Sequence, residues 1–105
     1  MQSEYQRMDY KKSTDIEHVV VTGYIGIQAM KNFSDELFHE DHSNMSTNAV
    51  LLQNHDPVAE IEIFLQQKKK LMTYLYGEPL SEDDMNRAKV QYAKACILLT
   101  NKNSS

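Results

Sequence analysis

The sequence predicts an α/β fold built on a parallel sheet with helices on both faces, and three observations carry that prediction. A β-branched run, "HVVV", leads into Gly23 and then into an apolar segment at helical spacing. Short apolar runs of strand length alternate with such periodic segments along most of the chain. With 105 residues, 41% hydrophobic and 25% charged, the chain suits one core and does not demand two.

Residues 1–15, "MQSEYQRMDYKKSTD", are polar, with Met8 and two tyrosines as apolar surface, and read as a linker or an arm that docks elsewhere. From Ile16 to Thr22 the run is short and β-branched, as in a strand buried on both faces. Ile27, Met30, Phe33, Leu37 and Phe38 then recur at helical spacing, and that helix is expected to end near His39 to His42. "SNMSTN" has no periodicity and reads as a loop; "AVLLQ" is a second buried strand, stopped by "NHDP". Asp56 and Pro57 predict a helix start, the carboxylate capping free amides and proline losing no hydrogen bond at the first helical position. Val58, Ile61, Phe64 and Leu65 form the apolar stripe of that second helix. Lys68 to Lys70 end it, where the helix dipole favours cations. "LMTYLYG" is a third strand. Ser81 with Asp84 three residues on matches a capping box, opening a short helix over "EDDMNRAKV". "ACILLT" is a fourth strand, in which Cys96 reads as a small buried thiol.

Strand and helix in strict alternation imply right-handed crossovers and a sheet of order 3-2-1-4, a Rossmann-like lobe over residues 16–105 behind an arm of residues 1–15. A lobe of this type truncated after its fourth strand leaves that strand as an uncovered apolar edge. Such an edge is a liability, so the natural polypeptide is expected to continue.

Several function classes are disfavoured. A net charge of −4 offers no basic face to neutralise phosphates, so no nucleic-acid partner is expected. The single cysteine excludes an internal disulfide and fits a reducing compartment. The longest apolar runs are far short of the roughly 18 residues of a membrane span, so no direct membrane insertion is expected, and no signal-peptide core follows Met1. No glycine-flanked serine or supported Cys/His pair is present, and His18, His39, His42 and His55 are scattered among turns and element ends; no enzyme is expected. His39 and His42 are three apart and could share a helix face, but two ligands are half a metal site.

The turn after the first strand poses the nucleotide question. A phosphate cradle needs glycine at three positions of G-x-G-x-x-G, for the turn, for backbone approach to the pyrophosphate, and for helix packing. Counting from Gly23, the second position holds Ile25 and the third Gln28, and Gly26 is out of phase. Asp56, the available acid after the second strand, is assigned as a cap. No nucleotide is expected.

One stretch conflicts with simple helix electrostatics. In "SDELFHEDHS", Asp35, Glu36, Glu40 and Asp41 crowd the end of the first helix, where the dipole disfavours negative charge, and Glu36 and Glu40 form a like-charge pair four apart. Either this is a solvated, screened helix end, or a cation compensates it. A hard cation such as calcium suits oxygen ligands, provided other parts of the protein complete a shell of about six to eight.

"EHVVVTGYIGIQAMKNFSDELFHED", "LLQNHDPVAEIEIFLQ" and "YGEPLSEDDMNRAKVQYAKACILLTNK" together resemble the first regulator-of-potassium-conductance (RCK) domain of Slo-type calcium-activated potassium channels. The resemblance covers about residues 17–102 and rests on the degenerate glycine turn, "NF" in the first helix, proline after the second strand, and an "A-x-A-C-I-L-x-x-N-K" fourth strand. It implies the N-terminal lobe of a cytoplasmic domain of a membrane channel. Its partners would be other RCK domains in a tetrameric gating ring and the linker to the pore domain. It further implies that Asp41 matches a calcium-site aspartate, and that Glu36 replaces an upstream aspartate that influences calcium sensitivity, giving a partial calcium site. The remaining ligands would come from later in the domain. At the two acidic positions of the family's magnesium site this chain has Asn48 and Thr73, which puts magnesium sensing through this lobe in doubt.

The leading expectation is a regulatory, non-enzymatic domain that couples ligand binding to pore opening. A nucleotide-binding regulatory or oxidoreductase module on the same scaffold is the alternative, and a lobe that has lost calcium sensing is a third.

Overall fold

The computed structural model describes residues 4–11, 16–23, 26–39, 47–68 and 71–99. A short helix α1 (Glu4–Arg7) precedes β1 (Glu17–Gly23), α2 (Ile27–His39), β2 (Thr47–Gln53), α3 (Ala59–Gln67), β3 (Met72–Tyr76), α4 (Glu82–Arg87), a 3-10 turn (Val90–Tyr92) and β4 (Ala95–Leu99). The helix read first from the sequence is therefore α2. The four strands form one sheet of order β3-β2-β1-β4, all parallel, as the alternation predicts.

Parallel crossovers bury both faces of the inner strands. Val19, Val20 and Val21 are at most 4% exposed, and Val50, Leu51 and Leu52 are equally enclosed. Alternation sends their side chains to two cores. Val19, Val21, Ala49, Leu51, Met72 and Tyr74 meet Met30 of α2 and Ile61 and Phe64 of α3 on one face. Val20, Val50, Leu52 and Leu75 meet Tyr10 and Ala88 on the other, beside α4 and the 3-10 turn. Helices on both faces follow from the strand order: two crossovers run one way from β1 and one returns past it.

Five details depart from the sequence reading. Asp56 does not cap α3, whose N-cap is Val58 with no side-chain cap bond. Asp56 precedes Pro57, a position biased to extended backbone, and Val58 is itself extended (φ −70°, ψ 163°), so the N-cap falls two residues past Asp56 and Pro57 precedes the helix instead of opening it. Glu60 and Glu62 supply the negative charge of that turn instead.

Cys96 is exposed, not buried. On β4 the inward positions are Ile97 and Leu99, which pack against the first core, while Cys96 and Leu98 alternate to the opposite face; Leu98 is 68% exposed.

The helix after Ser81 stops at Arg87 rather than running to Val90, because Lys89 adopts a left-handed conformation (φ 57°). Tertiary partners hold that break. The Tyr10 amide donates to Arg87 O (2.9 Å), and His18 Nε2 lies 3.0 and 3.1 Å from the Ala88 and Lys89 carbonyls. Two carbonyl partners require that Nε2 carry the proton.

His18 is thus a fully buried core histidine within β1, not a residue of a turn or element end. Its ring lies 4.5 Å from that of Tyr10, centroid to centroid.

The forward arm of the predicted capping box does form. Asp84 N–H donates to Ser81 Oγ at 3.4 Å. The Asp84 carboxylate, however, accepts from the Glu78 amide (2.8 Å) and from Arg87 rather than reaching back to Ser81.

Candidate functional site

Ligands of open α/β sheets bind beyond the carboxyl ends of the strands, at the point where the strand order reverses. Here that point lies between β1 and β4, and Gly23 stands at it, paired with Leu99. Gly23 has φ +95°, a backbone state that side chains resist. A Cβ there would lie 2.3 Å from Leu99 O and 2.7 Å from Leu98 Cδ1. The glycine in this turn therefore serves the close approach of β4. Ile25, at the pyrophosphate-approach position, lies outside the described residues. Gln28 faces along its own helix, its amide donating to Asn32 Oδ1 (3.2 Å).

The acidic residues of α2 lie at its carboxyl end, which the parallel crossover carries back toward the amino ends of the strands, away from Gly23. Glu36 and Asp35 are exposed near the end of the helix, while Ser34, on another face, is 2% exposed. Asp41, the other candidate ligand, lies outside the described residues together with Glu40 and His42. Among the described residues no group of three or more His, Cys, Asp and Glu could hold a metal ion. Glu36 offers hard oxygen donors suited in kind to calcium, but one carboxylate is far from the roughly six to eight ligands calcium takes.

The two positions matched to a magnesium site do fall on one face. Asn48 pairs with His18, and Thr73 pairs with Val50, two residues on from Asn48. Both side chains are neutral, and Asn48 Nδ2 donates to the Tyr10 hydroxyl (3.2 Å).

Arg87, which sequence reasoning did not single out, centres the densest polar cluster described. Arg87, its side chain 17% exposed, donates from Nη1 to Tyr76 O (2.9 Å) and Asp84 Oδ1 (3.0 Å), and from Nη2 to Tyr5 O and Met8 O (2.8 Å each). Nε donates to Met8 O (3.1 Å) and lies 3.4 Å from Asp9 Oδ1. The Glu78 amide, and with it the Arg87 guanidinium, holds the Asp84 carboxyl below the usual carboxylate range against the opposing effect of burial. The sequence offers only the i,i+3 acid–base spacing of Asp84 and Arg87 as a hint.

A second cluster lies between α1, α3 and β3. Tyr5 meets Tyr74 edge to face, centroids 5.5 Å apart, and donates to Glu62 Oε2 (3.3 Å). The Tyr74 hydroxyl donates to His55 O (2.9 Å). Burial first, then nearby carboxylates, Glu62 for Tyr5 and Asp56 for Tyr74, push both phenols up.

Among the described residues no helix is long and apolar enough to cross a membrane.

A family model described as the calcium-activated potassium channel slowpoke-like RCK domain matches residues 14–105. The chain is also similar to the calcium-activated potassium channel slowpoke of Drosophila melanogaster, with 28% identity over 94 residues, 90% of this chain and 8% of that protein. It thus spans less than a tenth of the length of that relative.

Proposed function

The chain belongs to the slowpoke-like RCK domain family, and on that premise we propose that it is a regulatory lobe on the cytoplasmic side of a calcium-activated potassium channel, coupling ligand binding to pore opening. The observation that carries this reading is the family match over nearly the whole lobe, seated on a parallel sheet of order β3-β2-β1-β4.

In this reading the lobe performs no chemistry. Its rigid part is the pair of inner strands buried on both faces, and its work is to favour one of two channel states by binding ligand more tightly in that state. Other RCK domains of a tetrameric gating ring and the linker to the pore domain are its proposed partners. Calcium is the proposed ligand, with Asp41 and Glu36 supplying part of its oxygen shell and residues outside this chain the rest. The Asn48 and Thr73 side chains add no charge for magnesium at their shared face.

The test is a chimaera in which residues 16–105 replace the matching segment of the slowpoke channel. Calcium-dependent opening in excised patches, shifted to higher calcium by Asp41→Asn and less so by Glu36→Gln, is the expected result. Channels that open but ignore calcium would sink the calcium reading. Failure of the chimaera to assemble would count against a regulatory lobe of this family.

A further inference from the structure

The segment ahead of β1 is held in an unusual way. α1 buries none of its own residues, and no strand ladder includes residues 4–10. Tyr5 packs against the core on the α2 and α3 face, yet Tyr10, five positions on, is 4% exposed in the core of the opposite face. The segment thus passes from one face of the sheet to the other on the side of the edge strand β3, which α1 touches.

Between the two tyrosines one side chain fastens its backbone at two carbonyls. The Arg87 guanidinium gathers Tyr5 O and Met8 O from the segment and Tyr76 O from the end of β3, with Asp84 fixing its plane. The Arg87 carbonyl takes the Tyr10 amide. A guanidinium presents five donors in a rigid fork, so one residue can satisfy three carbonyls at once and lose all three together.

We propose that residues Tyr5–Tyr10 form a strap that opens and closes as a unit separate from the sheet, and that Arg87 is the clip that holds it shut. While the clip is closed, a displacement of the segment leading into β1 is handed to α4 and to the carboxyl end of β3. When it is open, the groove between α1, α3 and β3, lined by Tyr5, Glu62, Leu65, Met72 and Tyr74, loses one wall. The use of such a coupling rests on the regulatory reading above; the strap itself does not, so the experiment below addresses the strap alone and the chimaera addresses the function.

The experiment is native-state hydrogen exchange on the full chain at increasing urea, following the Met8 and Tyr10 amides, both hydrogen-bonded, beside amides of β1 and β2. In the unaltered chain the strap amides are expected to exchange through an opening with much weaker urea dependence than the strand amides. Arg87→Met should accelerate Tyr10 exchange at least tenfold while strand amides keep their rates, and Arg87→Lys, which retains the charge without the fork, should fall between. Strap and strand amides sharing one urea dependence in the unaltered chain would overturn the separate unit. Unchanged Tyr10 exchange in folded Arg87→Met would overturn the clip. An Arg87→Met chain that fails to fold would also overturn the proposal, because a residue whose main task is to hold the strap leaves the sheet standing.

Discussion

Replacing Gly23 with alanine tests why that position is glycine. The residue has φ +95°, and a strained backbone state of this kind costs an ordinary residue about 1–3 kcal/mol. The new Cβ would lie 2.3 Å from Leu99 O, a backbone atom that cannot swing aside. Contacts of 3.4 Å are ordinary, so β4 must retreat by about 1 Å at its carboxyl end, where Gly23 pairs with Leu99. Loosening that end of the ladder forfeits one or two hydrogen bonds, each about 1 kcal/mol net. The expected loss is about 3 kcal/mol, a large fraction of the roughly 5–15 kcal/mol that holds a domain together. In urea unfolding followed by circular dichroism, a slope of about 1–2 kcal/mol per molar turns that into a midpoint lower by about 2 M. Gly77→Ala is the control. Its Cβ would meet Asp84 Cγ at 2.7 Å, which side-chain rotation relieves at the expense of the bond to the Glu78 amide, and Asp84 Cβ at 2.9 Å, which needs α4 to shift by about half an ångström, so about 1–2 kcal/mol is expected. If Gly23→Ala costs no more than Gly77→Ala, then close approach of β4 is not the reason for the glycine.

Three further outcomes are expected. The Asp84 carboxyl is held below its ordinary value of 3.8, and a carboxyl lowered in the folded state stabilises above the unfolded value and loses that contribution as pH falls through the folded one. Stability should therefore drop with acid below about pH 4, and Asp84→Asn should cost about 1–2 kcal/mol at neutral pH and flatten part of that acid slope in urea titrations. Tyr5 and Tyr74, both raised above the ordinary 10.0, should stay un-ionised at a pH where exposed tyrosines titrate. Because their folded-state values are raised, their contribution is intact below about pH 10 and declines above it; ultraviolet titration of Tyr74→Phe should lose one late-ionising phenol, and loss of a phenol titrating near the ordinary 10.0 instead would place Tyr74 in solvent. Cys96 should react with a thiol reagent in the native chain at a rate close to that of the unfolded chain, and protection by a hundredfold or more would mean that the face of β4 carrying it is covered.

Much of the fold was legible in the residues. β-branched runs of strand length and stripes at helical spacing fix which segments are strands and which helices, and right-handed crossovers leave little choice but the order 3-2-1-4. The Ser81 cap was legible because it is local, a hydroxyl and an amide three residues apart. The proposed partial calcium site rests on charge and resemblance alone, since Glu36 is an exposed helix residue and Asp41 lies outside the described residues.

What the sequence by itself determined is the alternation, the two-sided burial of the inner strands and the degenerate glycine turn, all properties of near neighbours along the chain. Only the tertiary structure decided that a polar N-terminal segment is strapped to the lobe, that Arg87 gathers carbonyls from positions 5, 8 and 76, and that His18 is a core residue at the end of α4. Except for Tyr76, 11 positions from Arg87, these contacts join residues about 70 to 80 positions apart, and they depend on side chains whose partners are backbone carbonyls. A backbone carbonyl is present at every residue, so no pattern of residue types reveals which one a distant arginine or histidine will meet.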